Sequence, residues 1–246
     1  MLAEIKIKFL NWDSVFFGYK IGALEITSAF CLPALTAIME EAKATGYRLL
    51  YIKISGDKSL IQEEKTSQYK LILADERLTY IMPVDVAAAL PAVAPHVQKY
   101  QAAVPDKQLI DLALQSGAYS RFALDPNFKN QEFTKLYTAW ITKIVTKEIP
   151  EELWVCTNAE QDLVGFVTIG FDQLGAYMGL MAVNEINRRQ GIAHSFIQIA
   201  HTRATQAACT TLRLVTQKAN LPACRLYEKS GFVLSQTEYL YHLWLQ

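Results

Sequence analysis

The run GLMAV at 179–183, followed after three residues by NRRQGIAHS at 187–195, decides how this chain is read. GLMAV is apolar and of strand length. Two adjacent arginines and a glycine follow. IAHSFIQIAHTRATQA, 192–207, then repeats apolar residues at helical spacing, with Ile192, Phe196, Ile199, Ala200 and Ala207 on one stripe. A strand, a short basic glycine loop and a long helix make a βα unit. The N–H groups that open such a helix have no partner within it, and the helix dipole adds partial positive charge, so a phosphate can satisfy both. Gly191 removes a Cβ from the approach, Ala193 keeps the first turn small, and Arg188 and Arg189 can add charge-assisted contacts. The spacing, R-x-x-G-x-A, lacks the further glycines of a dinucleotide fingerprint and the GK[ST] of a Walker loop. Spacing alone also fits a βα turn with two solvated arginines; the flanking strand and helix favour the anion.

Working outward, TLRLVTQ (211–217) reads as a strand, PACRLYEKSG (222–231) as a helix and FVLSQTEYLYHLWL (232–245) as a closing strand or hairpin. Upstream, LWVCT, LVGFVTIGF and AYMGLMAV are strands, preceded by two helices. One starts at Lys107 and ends near Gly117. The other, 130–145, puts Phe133, Leu136, Tyr137, Trp140, Ile141 and Ile144 on one face. The expected class is α/β (α+β) with a mixed sheet, and a parallel pair where AYMGLMAV and TLRLVTQ are joined through a helix. Near the N-terminus, IKIKFL and IGALEI are strand candidates, WDSVFFG a turn capped by Asp13, 32–46 a helix and 47–55 a strand. Residues 69–84 suggest two strands with a turn near Asp75. The Ala- and Pro-rich stretch 85–106 reads as a linker, so the expected division is 1–84, an N-terminal α/β domain; 85–106, linker; and 107–246, a second domain. The strand–helix order of the first domain partly repeats that of the second, without the glycine loop, as a degenerate duplication would.

Lys plus Arg and Asp plus Glu number 24 each in the 246 residues, which gives no general pull toward nucleic acid or an anionic membrane. Cys31, Cys156, Cys209 and Cys224 have no CxxC or Cys/His ligand spacing; free thiols, no metal and a reducing compartment are expected. The N-terminal stretch carries charges through its apolar part, unlike a signal peptide, and no run approaches the ~20 apolar residues of a membrane span. A cytoplasmic protein is expected.

GLMAV-NEINRRQGIAHSFIQIA resembles the acetyl-CoA signature of the GCN5-related N-acetyltransferases (GNAT), in which Q/R-x-x-G-x-G/A binds the pyrophosphate. LRLVTQKANLPACRLYEKSGF resembles the strand, asparagine loop and LYEKxGF helix that follow it there. The resemblance implies transfer of acetyl from acetyl-CoA to an amine. Met181, Ala182 and Val183 would run beside the pantetheine arm, pairing through the Met181 and Val183 main chain. Arg188, Arg189, Gln190, Gly191, Ile192 and Ala193 would hold the pyrophosphate, Asn220 would contact the cofactor arm, and Tyr227 would face the sulfur. A thiolate leaves in this reaction, so a hydroxyl donor such as Tyr227 suits the role of general acid. Tyr227 also fits a core aromatic, and Asn220 a helix N-cap. His194 and His201 read as partly exposed helix residues and Cys224 as a small packed one. No base stands out; Asp172 and Glu185 are the only guesses.

NWDSVFFGYKIGALEI, YSRFALDPNFKNQEFTKLYTAW and SQTEYLYHLW resemble segments of the bacterial dTDP-fucosamine N-acetyltransferases. That resemblance implies a nucleotide-linked amino sugar as acceptor and, by family analogy, a homodimer. Arg121 could pair with the diphosphate, Phe122 could pack on a base or sugar, and Tyr239 with Tyr241 could line the cleft. Loop ion pairing and sheet packing account for the same residues. Acetylation of another small amine or of a protein N-terminus, and a non-catalytic acyl-CoA-binding module, are the alternatives.

Overall fold

A computed structural model describes residues 6–26, 32–55, 71–87 and 96–245, with the side chains of 32–35 left aside. Ile5, Cys31, Tyr69 and residues 88–95 of the expected linker lie outside the described residues. The chain divides into two compact units, Met1–Leu78 with Gln236–Gln246, and Thr79–Ser235. This differs from a division at 84 and 107. The closing strand belongs with the N-terminal unit because it pairs along the length of a strand there.

Unit 1 holds β1 (Lys8–Phe9), α1 (Asn11–Phe17), β2 (Ile21–Ile26), α2 (Leu32–Ala44), β3 (Leu49–Ser55), residues 71–78 of β4 (Leu71–Pro83) and residues 236–244 of β10 (Val233–Trp244). β2 and β3 are parallel, from Ile21↔Leu49 to Ile26↔Ile54. β10 runs antiparallel to β3, from Glu238↔Ser55 to Trp244↔Leu49. Leu24, Ile26, Leu50, Ile52 and Ile54 meet Met39 and Ala42 of α2 and Tyr241 and Leu243 of β10 in one core.

Two sequence expectations change here. WDSVFFG is a helical turn, α1, rather than a loop capped by Asp13. Ser14 Oγ donates to Leu10 O (2.6 Å) and accepts the Ile21 N–H (2.9 Å), while Gly18 closes the helix at φ 79°. β4 is one strand, with Asp75 buried inside it and no turn. Its charged run has a partner in the sheet: Arg77 Nε donates to the buried Glu238 Oε2 (2.8 Å).

Unit 2 orders its strands β4–β9–β8–β7–β6–β5, with β5 at Val97–Lys99, β6 at Glu152–Thr157, β7 at Leu163–Asp172, β8 at Gly175–Val183 and β9 at Thr211–Gln217. The helices are α3 (Lys107–Ser116), α4 (Arg121–Leu124), α5 (Glu132–Val145), α6 (Ile192–Gln206) and α7 (Leu221–Lys229). β5 lies inside the expected linker and pairs antiparallel with β6 through Val97↔Cys156, so that stretch is partly sheet. The parallel pair, β8 with β9, falls where the sequence put it. β7 is buried along most of its length, as a strand covered on both faces must be. Phe196 of α6 covers the Gly165 face, where a Cβ on Gly165 would lie 3.0 Å from the ring. α3 packs on β7, β8 and α5. The buried side of α6 includes Ile197, Thr202 and Ala204, while Ala207 lies past its end and is exposed.

Candidate active site

β8 and β9 pair only from Ala176↔Leu212 to Met178↔Leu214. Beyond Met178 the pair ends, and on its other side β8 bulges against β7. Val167 faces Met181 and Ile169 faces Met178, so β8 carries one extra residue there. Thr168 fills the bulge: its buried Oγ1 accepts the Leu180 N–H (2.8 Å). The Asn184 N–H also points to β7, at Val164 O (2.8 Å). Main-chain directions alternate, so Ala182 faces β7, and the N–H groups of Met181 and Val183 face the open edge.

Past β8 the chain makes a 3₁₀ turn, Glu185–Asn187, capped by Asn184. Arg189 (φ 67°) and Gly191 (φ 84°) then both adopt left-handed backbone and swing the chain into α6. A residue other than glycine in that region is held there at a cost. Among the described residues, the main-chain N–H groups of Arg189, Gln190, Gly191, Ile192, Ala193 and His194 make no hydrogen bond, and no side chain caps the helix. A Cβ on Gly191 would meet nothing within 4 Å, so the space beside the glycine is open. The two arginines differ. Arg188 Nε donates to Val183 O (3.2 Å), tying the loop to the end of β8, whereas Arg189 is exposed with no partner among the described residues. Ile192 is buried and anchors the turn. Gln190 and Asn187 line a cavity of about 610 Å³ with Gln98, Asn158 and Gln161.

α7 supplies the remaining expected residues. Asn220 is its N-cap, with Oδ1 accepting the Ala223 N–H (3.3 Å), and its Nδ2 makes no hydrogen bond among the described residues. Tyr227 is 7% exposed, its ring against Tyr80 (centroids 6.2 Å) and Phe232 (5.9 Å). Its hydroxyl has no hydrogen-bond partner among the described residues, and burial, with the Cys224 thiol adding to it, pushes the phenol pKa up. The tyrosine therefore packs as a core aromatic while its hydroxyl stays unpaired. Tyr80 of β4 was not singled out by the sequence reading. Its hydroxyl donates to Glu228 Oε1 (2.8 Å) beside Tyr227, a pairing across 148 residues that no local pattern signals.

Asp172 is exposed and paired with Arg213, and Glu185 is exposed in the 3₁₀ turn. The Arg121 guanidinium stacks 4.6 Å over the Phe122 ring, and Phe122 packs on Phe128 (5.4 Å). Tyr239 and Tyr241 do not line a cleft: Tyr241 is 1% exposed in the core of unit 1, and Tyr239 packs against that core. Paired with Ile54 and Ile52 of β3, they share the sheet face that carries the core of unit 1.

A polar cluster absent from the sequence reading lies under the bulge. Glu151, 7% exposed at the head of β6, accepts the Tyr177 hydroxyl at Oε1 (3.2 Å); its Oε2 is buried with no hydrogen-bond partner among the described residues. A Cβ on Gly179 would lie 2.5 Å from Thr168 Oγ1 and 2.7 Å from Glu151 Oε2, and one on Gly170 would overlap the Tyr177 phenol.

The sequence profile of the acetyltransferase (GNAT) family matches residues 120–232. The chain is 31% identical over 137 residues to N-alpha-acetyltransferase 30 of Saccharomyces cerevisiae, spanning 56% of this chain and 72% of that protein. It is 26% identical over 240 residues to dTDP-fucosamine acetyltransferase of Escherichia coli O6:H1, spanning 97% of this chain and 98% of that one. A functionally unknown conserved protein of Staphylococcus epidermidis has a similar fold, with a TM-score of 0.64 at 14% identity over 98% of this chain and 91% of that chain.

Proposed function

This chain belongs to the acetyltransferase (GNAT) family and is an N-acetyltransferase that uses acetyl-CoA; on that premise we propose that its acceptor is the primary amine of a nucleotide-linked amino sugar. Support for the acceptor comes from extent. The similarity to dTDP-fucosamine acetyltransferase runs through 97% of the chain, unit 1 included, whereas that to the N-alpha-acetyltransferase spans 56%. Arg121 at the start of α4, stacked on Phe122, is the candidate for the sugar nucleotide's diphosphate. Free thiols at Cys156, Cys209 and Cys224 suit a reducing compartment, and we place the protein in the cytoplasm.

The donor half rests on one observation: a row of main-chain donors, Arg189 to His194, with no partner among the described residues, at the end of a strand whose far edge is open. That arrangement fits a diphosphate followed by an extended amide-bearing arm. Acetyl-CoA supplies an acetyl group activated as a thioester. In our reading the N–H groups of Arg189, Gln190, Gly191, Ile192 and Ala193 hold the diphosphate. The exposed Arg189 side chain adds charge, and Arg188 fixes the loop through Val183. Met181 and Val183 offer N–H groups to the arm as a neighbouring strand would, and a donor on this edge can meet negative charge developing on the acetyl oxygen. Asn220 keeps Nδ2 for the arm while its Oδ1 caps α7. Tyr227 gives its proton to the departing sulfur; a phenol with its pKa raised by burial stays protonated at neutral pH and can act so.

Released free thiol tests this, with dTDP-fucosamine and a peptide with a free N-terminus as acceptors. Turnover of the sugar nucleotide, lost in Tyr227→Phe, is the expected result. Turnover of the peptide alone transfers the chain to the protein N-terminus class, and acetyl-CoA binding without turnover of any amine leaves a binding module.

A further inference from the structure

The amine that attacks must lose a proton; of the carboxylates guessed from the sequence, Asp172 is held in an ion pair with Arg213 and Glu185 is exposed in the 3₁₀ turn. Glu151 is different. A buried carboxylate with one oxygen lacking a donor among the described residues costs free energy and needs an explanation. Its geometry is also specific. Glu152 pairs with Ile169 and turns to Arg203 of α6, so Glu151 turns to the opposite face of the sheet, toward Thr168, Gly170, Tyr177 and Gly179. Gly170 clears the room in which the Tyr177 phenol lies. Gly179, at the bulge, clears the room for the Glu151 carboxylate. Tyr177 is half-buried on β8, two residues before Gly179 on the same face, at the point where pairing with β9 stops. The charged groups facing its ring are Glu151 below and Arg213, 5.1 Å away and itself paired to Asp172.

We propose that Tyr177 and Glu151 together carry the proton away from the acceptor amine. This rests on the function proposed above and adds to it the base. As the amine lone pair bonds to the acetyl carbon, the Tyr177 oxygen takes the N–H proton and its own hydroxyl proton passes to Glu151 Oε1. The carbon–sulfur bond breaks, and the sulfur takes the Tyr227 proton. Glu151 then loses its proton to solvent and Tyr227 regains one, which closes the cycle. A relay of this kind needs a phenol that is protonated at rest. Burial, with Glu151 adding to it, pushes Tyr177 up to about 12.

The test uses full-length protein with dTDP-fucosamine, or with the peptide amine if that is the acceptor that turns over. Glu151→Gln and Tyr177→Phe should each lower kcat/KM at neutral pH at least tenfold and flatten the acidic limb of the pH profile. The double variant should be no slower than the worse single one, because the pair acts as a unit. Acetyl-CoA affinity by calorimetry should stay within twofold. Ultraviolet difference spectra, with Tyr177→Phe as reference, should show Tyr177 ionising at lower pH in Glu151→Gln. If Glu151→Gln fails to fold, Tyr177→Phe and Gly170→Ala, which displaces the phenol, carry the test. An unchanged rate in Tyr177→Phe, or additive losses in the double variant, overturns the relay. Loss of acetyl-CoA binding in wild type would sink the preceding reading instead.

Discussion

In unit 1, β2 and β3 are joined through α2 and pair in parallel over the six residues of β2; in unit 2, β8 and β9 are joined through α6 and pair at only three positions. The local unit is the same strand–helix–parallel strand in both. In the first, Leu50, Ile52 and Ile54 alternate toward Met39 and Ala42, and the ladder closes over a core. In the second, the ladder ends after Met178, beside the bulge at Thr168 and the side-chain-free Gly179, and Val215 on β9 is left 46% exposed. An unpaired strand edge is a liability unless something covers it. The open crossover is also where six amides without a partner among the described residues and a left-handed glycine gather. The two crossovers share one βα unit and differ in where the ladder stops, and stopping it short is what leaves main-chain donors available for a ligand in the function proposed above.

The comparison can be broken from either side. The largest effect should come from the closed crossover: Ile52→Ala, at a position with no exposure, should lower stability by about 2–5 kcal/mol in denaturant melts. Acetyl-CoA affinity at temperatures where the variant is folded should not change. In the open crossover, Tyr227→Phe should lower kcat about 100-fold, or about 2.7 kcal/mol, with acetyl-CoA affinity kept; an equal rate would remove Tyr227 from the chemistry.

Acid should act next, through the tie that holds α6 to β6. Burial alone would raise the Glu152 carboxyl, but hydrogen bonds from Arg203, Trp154 and Lys99 outweigh it and hold it at about 2, against an ordinary 4.5. A carboxyl lowered on folding stabilises above its unfolded pKa and loses that contribution as pH falls toward the folded one. Wild type should therefore lose on the order of 2 kcal/mol more than Glu152→Gln between pH 4.5 and 2, read by melts at stepped pH. Parallel losses in the two proteins would show that the pair contributes nothing.

Gly191→Val should weaken acetyl-CoA binding at least tenfold, or about 1.4 kcal/mol, because a branched residue resists φ 84° and fills the open space before the amides. Equal affinity by calorimetry would refute the loop as the diphosphate site. The smallest effect belongs to Asn220. Asn220→Ala should cost about 1 kcal/mol of stability through the lost cap. Asn220→Asp should keep the cap and weaken acetyl-CoA alone, which separates the two roles.

Much of unit 2 was legible in the chain before any coordinates. Period-2 and period-3.6 patterns located β6 to β9 and α3, α5, α6 and α7, because each element buries one face and its sequence records which. The unit-1 strands were harder: β1 is two residues long, and the ADER run in β4 looked like a turn because Glu238, which pairs with Arg77, lies 161 residues away. Tyr239 and Tyr241 carried the correct alternation but the wrong destination, since period two says that they share a face and not what that face meets.

The amino-acid order by itself settled the crossover, its glycine, the helix that starts there and the tyrosine on α7, since backbone preference and amphipathic spacing are properties of neighbours along the chain. Only the tertiary structure decided that β8 and β9 part after Met178, that Arg188 reaches back to Val183 O while Arg189 has no partner among the described residues, and that Glu151 lies under Tyr177 in room left by two glycines. Those outcomes depend on contacts between residues tens of positions apart, where strand register and the volume left by a missing side chain choose the partner.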